Sequence, residues 1–311
     1  MESELQTREK RIAREKYIES LPFLDVSTKT GVFRGFGASM RDIWSRRELL
    51  NRLVKRELKA RYKDSSLGVV WSLLRPLVQL MIYYFAIGQI LGAARGTPDF
   101  GIFVFIGLTM WALYSEIISG STTSIIANSG LVKKVYLPRE IFPLAAVGSA
   151  LVNFGIQLIV LFAGIFILST FPWSPDLLLA PAGVLVLLTF GTAFGLLLAA
   201  LNVYLRDVQH FVEIYVLIFF WASPIVYPFT FVHNALGGNW LEQLYLCNPV
   251  TVAILAAQKA LWSAGAAADS GQYWPPDLEL RLVIMFGISL ILLWASQRIF
   301  ARLQGNFAQE L

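Results

Sequence analysis

The sequence predicts an all-α polytopic membrane protein with six transmembrane helices. Three observations lead there. Hydrophobic residues make up 56% of the 311 and charged residues only 15%, whereas a soluble domain carries about a quarter charged. The apolar runs are long and do not alternate, which is a helical pattern and not a strand pattern. Basic residues crowd one set of loops, as membrane topology requires. The net charge of +5 is therefore no argument for a nucleic-acid partner.

Residues 1–38 read as a cytoplasmic amino-terminal tail of mixed charge. Residues 39–66 read as an amphipathic interface helix and link. Ile43, Trp44, Leu50, Leu53, Val54 and Leu58 gather on one side, and Arg46, Arg47, Arg52, Lys55, Arg56 and Lys59 mostly avoid it. A basic helix with a tryptophan in its apolar stripe tends to lie in the membrane interface. Packing against a soluble partner is the alternative. Residues 67–311 form the membrane domain.

Within it, apolar spans are expected near 68–92, 101–126, 141–170, 177–201, 210–229 and 280–298. The segment before the first span carries sixteen Lys and Arg, and Lys133, Lys134, Arg139, Arg206, Arg298 and Arg302 follow at alternate loops and the tail. The other side has Arg95, Lys259 and Arg281. Both termini are therefore expected in the cytoplasm of a multi-pass protein. After span five, Pro224 and Pro228 bend or break its outer end. The helix-like stretch 252–262 is too short to cross with its flanks, so it either dips into the membrane or lies in the outer interface.

The chemistry-bearing residues are few. Cys247 is the single cysteine and His210 and His233 the only histidines, which argues against a disulfide, a cysteine metal site or a zinc hydrolase. No GxxxxGK[ST] occurs, so no nucleotide is cradled in that manner. What the spans do carry is polar stripes. Arg75, Gln79 and Gln89 share a face of span one with Tyr83 beside it, and Thr109, Glu116, Ser119 and Thr123 share a face of span two. Such groups either bond between helices or line a wetted wall. Aromatics are plentiful, from Tyr83, Tyr84 and Phe85 to Trp111, Tyr114, Tyr215 and Trp221, and the sequence does not sort channel-facing from lipid-facing rings. Gly88/Gly92 and Gly191/Gly195 have the small-xxx-small spacing that permits close helix contact. Arg75 and Glu116 fall at similar depth and are expected to pair with one another.

The stretches Leu58-Lys-Ala-Arg-Tyr-Lys63, Leu67-Gly-Val-Val-Trp-Ser-Leu-Leu-Arg-Pro76, Leu131-Val-Lys-Lys-Val-Tyr-Leu-Pro-Arg-Glu-Ile-Phe-Pro143, Asn202-Val-Tyr-Leu-Arg-Asp207 and Trp221-Ala-Ser-Pro-Ile-Val-Tyr-Pro228 together resemble bacterial permeases that export polysaccharides with an ATP-binding-cassette partner. The resemblance covers roughly residues 50–311. It implies the permease subunit of a type-2 exporter of lipid-linked polysaccharide (O antigen, teichoic acid, capsule or galactan), carried on undecaprenyl diphosphate. It also implies a second copy of the chain, two ATPase subunits that bind ATP and Mg, surrounding membrane lipids, and no cofactor in this chain. Leu131, Val132, Lys133, Lys134 and Val135 would form a coupling helix seated on the ATPase. Arg206 and Asp207 would shape the second coupling loop. Short re-entrant gate helices would cover the exit before the last span. Arg75 would receive the carrier diphosphate at the entrance of a path lined by Gln79, Tyr83, Gln89 and Glu116. The alternatives are a lipid or drug exporter of the same superfamily and, from another class, a membrane enzyme acting on polyprenol-linked sugars.

Overall fold

The computed structural model describes residues 43–61, 70–134, 137–267 and 270–311, together with Gly37 and Arg41 singly. Val135 and, apart from Gly37, the tail 1–38 lie outside the described residues. Every regular element among the described residues is helical. In order, α1 is Arg47–Arg61, and α2 is Val70–Tyr83, widened into a π-helical turn at Tyr84–Ile90. Then come α3 (Phe100–Ala127), α4 (Ser129–Lys134), α5 (Ile141–Leu168), α6 (Leu179–Tyr204) and α7 (Val208–Trp221). The chain continues through α8 (Phe229–Leu236), α9 (Trp240–Leu246), α10 (Pro249–Leu261), α11 (Ser263–Ala266), α12 (Leu278–Leu303) and α13 (Phe307–Glu310).

Helices α2, α3, α5, α6 and α12 are long and apolar enough to cross a membrane, and they coincide with five of the six expected spans. The fifth span departs from expectation. α7 stops at Trp221 after 14 residues, about 21 Å of helix, and does not run on to 229. Pro224 has no N–H to continue the helix. The irregular stretch that follows is buried in protein: Ser223, Pro224, Ile225 and Val226 are all inaccessible. Gln258 Nε2 donates to the Pro224 carbonyl at 2.7 Å. Gly107 leaves room for it, since a Cβ there would stand 3.0 Å from Ile225 backbone. Irregular backbone at membrane depth is tolerated where protein covers it.

Two ends of the bundle are defined by contacts. At one, Trp262 Nε1 donates to Pro98 O at 2.8 Å, Ser263 Oγ to Thr170 O at 2.7 Å and Gln272 Nε2 to Gly96 O at 2.9 Å, and Lys259 lies 3.7 Å from Asp176. At the other, Tyr204 OH donates to Leu303 O at 2.8 Å, Asn202 Nδ2 to Thr122 O at 3.0 Å, and Arg56 to Asn128 Oδ1. The second is the basic end, with Arg46, Arg47, Arg52, Lys55, Lys133, Lys134, Arg139 and Arg206 among its residues.

The segment between α7 and α12 returns to the end from which it enters. Thr230 bonds Gln272 at 3.0 Å at the far end, α9 and α10 meet at 81°, and α10 leads back to Trp262. Pro249 opens α10, and Asn248 Oδ1 accepts from Val250 N at 3.0 Å, a good start for a helix after a sharp bend. Of the two expectations for 252–262, the interfacial one is excluded. Every residue from Val252 to Trp262 except Lys259 is buried, so the stretch dips into the bundle.

The core is built on α3, whose Ile106, Leu113, Tyr114, Ile117 and Ile118 are fully buried. Lipid is as apolar as leucine, so helices here are held by close packing and interhelical hydrogen bonds and not by expulsion of water. Small residues make the approach possible. A Cβ on Gly195 would lie 2.7 Å from Ser121 Cβ, one on Gly191 3.0 Å from Ile117, and one on Gly183 2.7 Å from Ala253 O. The Gly191/Gly195 pair thus seats α6 on α3 within one chain. Gly88 and Gly92 do not act as such a pair: Gly88 faces the Phe100 ring, while Gly92, at φ +79°, ends the helix.

Candidate functional site

The basic end carries a charged cluster that joins three helices. Arg61, on the last turn of α1, places Nη1 3.1 Å from Glu116 Oε2, halfway along α3. Asn153 of α5 donates from Nδ2 to the same oxygen at 2.8 Å. Lower down, Arg56 bonds Asn128 at the foot of α3. Between these ties, Leu53 is buried against Ile125, Ile141 and Phe142, and Val54 presses on Gly148 of α5, whose absent Cβ makes the contact possible. The apolar stripe of α1 therefore docks on its own bundle. Burial raises the Glu57 carboxyl above its ordinary range, and the flanking Arg56 and Arg61 oppose that rise.

This corrects the pairing expected for Arg75. Glu116 is held by Arg61, and Arg75 has no hydrogen-bond or ion-pair partner among the described residues. Arg75, Gln79, Ile82 and Gln89 are all exposed. The polar stripe of α2 faces away from the bundle, because α2 packs mainly on α3 and α5, with Tyr83 at its end on α7, and shows its other side. Gln89 lines a groove of about 610 Å³ between the outer half of α2 and the start of α3, with Tyr84, Phe85, Thr97 and Asp99. The span-two face divides along its length: Thr109 is buried, Glu116 is partly covered, and Ser119 and Thr123 are exposed.

The aromatics are sorted by the fold. Tyr83 stacks on Phe220 (5.7 Å, 27°), Phe220 meets Trp111 edge-on, and Tyr114 stacks on Phe190 (5.9 Å, 8°). Tyr114 and Tyr215 share a hydroxyl hydrogen bond of 2.6 Å. This column is internal to the chain. Tyr84, Phe85 and Trp221 are exposed.

The short helix α4 starts on the Asn128 carbonyl, which accepts from Leu131 N at 2.9 Å and Val132 N at 3.1 Å. Its apolar face does not point outward. Val132 is 6% exposed and packs with Leu131 into the cluster of Ile141, Phe142, Phe300 and Phe307. Arg139 sits 5.7 Å over the Phe307 ring. Lys133 and Lys134 are exposed. Arg206 and Asp207 are exposed too, and their side chains make no bond among the described residues. They do not hold the loop, whose turns are closed by backbone bonds from Leu205 N to Leu201 O (2.8 Å) and Val208 N to Leu205 O (3.1 Å).

Arg61 and Asn153 were missed in the sequence. Asn153 lies with Ser149 and Gln157 as the buried polar residues of a long apolar span, a signal that ordinarily marks an interhelical partner. Arg61 is one of many basic residues before span one, and nothing in the pattern singles it out.

The far end has its own buried acid. Glu242 Oε2 accepts from Gly238 N at 2.9 Å and lies 3.0 Å from His233 Nδ1. The His233 ring stacks on Tyr273 at 3.6 Å. Among the described residues no cluster of His, Cys, Asp and Glu is grouped to hold a metal.

Comparison with known proteins places these helices. The ABC-2 type transporter family matches residues 48–262. An O-antigen export system permease protein RfbA of Myxococcus xanthus is 31% identical over 273 residues, 88% of this chain and 98% of that protein. A protein of the same name from Klebsiella pneumoniae is 31% identical over 180 residues, 58% of this chain and 69% of that one. With a family match over more than half of its length and this likeness maintained over 98% of a permease, the chain belongs to the ABC-2 type transporter family as a membrane permease.

Proposed function

We propose that this chain is the permease subunit of an exporter of lipid-linked cell-surface polysaccharide, with undecaprenyl diphosphate as carrier. The observation that carries the reading is the 31% identity maintained over 98% of an O-antigen export permease. Two copies would join through the open faces of α2 and α7, where Arg75, Gln79, Phe211, Ile214 and Leu217 are exposed. An arginine facing hydrocarbon is costly, so these faces call for a partner or a wetted path. Arg75, Gln79 and Gln89 would line that path, with Tyr83 behind them against Phe220 and Arg75 offering its planar fork to diphosphate oxygens.

The basic end would be cytoplasmic, and both termini with it. Two separate ATPase subunits, holding ATP and Mg, would dock there on Lys133, Lys134, Arg206 and Asp207. The buried Val132 and half-buried Leu131 would carry the push into the bundle through Phe142 and Phe307. The cluster Arg61–Glu116–Asn153 would keep α1 against the entrance. Depletion of the protein from cells tests the function. Lipid-linked polymer should accumulate on the cytoplasmic side, and its continued appearance at the surface would refute the assignment.

A further inference from the structure

At the basic end, α4 and the loop 205–207 come from distant parts of the chain, and the carboxy-terminal segment reaches both. A 3₁₀ turn at Gln304–Asn306 carries the chain from α12 into α13, which packs on α4 and α6. Phe307 of α13 is fully buried. Its ring meets Tyr204, the last residue of α6, at 6.1 Å and 65°, and Phe300 at 5.5 Å and 88°. Leu131 and Val132 of α4 pack in the same cluster. So does Leu311, whose N–H donates to the Phe307 carbonyl at 3.1 Å.

The outer sides of both segments are polar. Lys133 and Lys134 are exposed on α4, and Arg206 and Asp207 on the loop that follows Tyr204. At this end water is the alternative surrounding, so burial of a phenyl ring is driven by the hydrophobic effect, which does not hold helices together inside lipid. A ring packed against two segments at once couples them. Close-packed clusters have a few discrete arrangements and do not deform smoothly, so displacing one segment disturbs the seat of the other.

We propose that the carboxy-terminal segment 304–311 yokes α4 to the loop 205–207 through Phe307, so that a load on either is shared by both. Phe307 is a positioning residue. It presents no surface to a partner and acts by holding the exposed Lys133, Lys134, Arg206 and Asp207 in one arrangement. Its consequence for coupling rests on the reading of those four residues as the ATPase docking surface.

The test is hydrogen exchange of the purified full-length permease in detergent, read by mass spectrometry. The reporters are the amides of Leu131 and Val132, bonded to the Asn128 carbonyl, and those of Leu205 and Val208 in the loop turns. Phe307→Ala should speed exchange at both sets about tenfold and leave the α3 core around Leu113 unchanged. Phe307→Leu, which keeps a large apolar side chain, should stay near wild type. Tyr204→Ala should speed exchange in α4, and Val132→Ala should speed it in the loop. These two variants read the yoke from either side even if Phe307→Ala does not fold. Faster exchange confined to the altered segment would overturn the proposal, as would an even rise through the whole bundle. In the assembled complex, Phe307→Ala should lower transport-coupled ATP hydrolysis severalfold at an unchanged KM for ATP, and Phe307→Leu should restore it. Full hydrolysis with Phe307→Ala, where Lys133→Glu with Lys134→Glu has lost it, would overturn the proposal too. Hydrolysis kept by both variants would refute the docking reading instead, and the exchange result, obtained without any ATPase, would still decide the yoke.

Discussion

Arg61 donates to Glu116 at 3.1 Å, and through that one bond the end of α1 is fastened to the middle of α3. Both side chains are partly exposed, 43% and 29%, so the pair is worth about 1 kcal/mol or less in stability. Its larger effect is positional, because the same carboxylate oxygen also takes Asn153. The single variants Arg61→Glu and Glu116→Arg should each lower export. The double exchange should recover part of it, as coupled residues do. Losses that simply add in the double variant would show that the two side chains act separately. Arg75→Glu with Glu116→Arg should show no such recovery, since those residues do not meet.

Gly195 is a stability position. A β-branched side chain there collides with Ser121, which would sit 2.7 Å from the new Cβ. Gly195→Val should lower the thermal midpoint by several degrees, in the range of about 1–3 kcal/mol for overpacking. Gly287 sits in α12 with open space around it. Gly287→Ala should raise stability slightly, by about 0.5–1 kcal/mol. A scan of both proteins in the same detergent checks the contrast, and equal midpoints would contradict the packing described.

In α4 the two kinds of residue should fail differently. Lys133→Glu with Lys134→Glu should leave the purified permease as stable as wild type while lowering transport-coupled ATP hydrolysis in the assembled complex. Val132→Asp places a carboxylate at a site 6% exposed and should reduce the amount of folded protein, an effect of about 2 kcal/mol or more. Size-exclusion profiles and ATPase assays on the same preparations separate the two outcomes. Full coupled activity in the double lysine variant would remove α4 from the docking surface.

Cysteine labelling reads the re-entrant segment. Native Cys247 is exposed and is first replaced by serine. In that background, a cysteine at Asn234, which is exposed on α8, should react with an impermeant thiol reagent added outside intact cells. One at Ile254, which is fully buried in α10, should not react until the protein is denatured. Labelling of Asn234→Cys only in inverted membranes would reverse the orientation of the whole bundle.

Much of the fold was legible because membrane spans announce themselves by length and polarity. The apolar run from Ile141 to Leu168 needs no partner to be recognised as a helix. α7 was overextended to 229 although Pro224 and Pro228 already marked a bend or break at its outer end, and only the close approach of Ile225 to Gly107 tells that the stretch is an irregular turn sealed by protein. Hydropathy likewise cannot say which face of a helix is covered. Tyr114 and Phe85 look alike in sequence, yet one is inaccessible and the other 57% exposed. The pairing of Glu116 was misread because depth along two spans is a one-dimensional measure. Arg61 reaches Glu116 from a third helix that sequence order places outside the spans.

The open side of α2 bears on the life of the protein in a cell. A newly inserted copy presents Arg75 and Gln79 to hydrocarbon until another copy or a wetted path covers them. Under the pairing proposed above, that cover comes from an encounter between two copies, whose rate rises with the square of their surface density. The covered fraction should therefore climb with synthesis, and a weakly expressed gene would leave most copies with this face open.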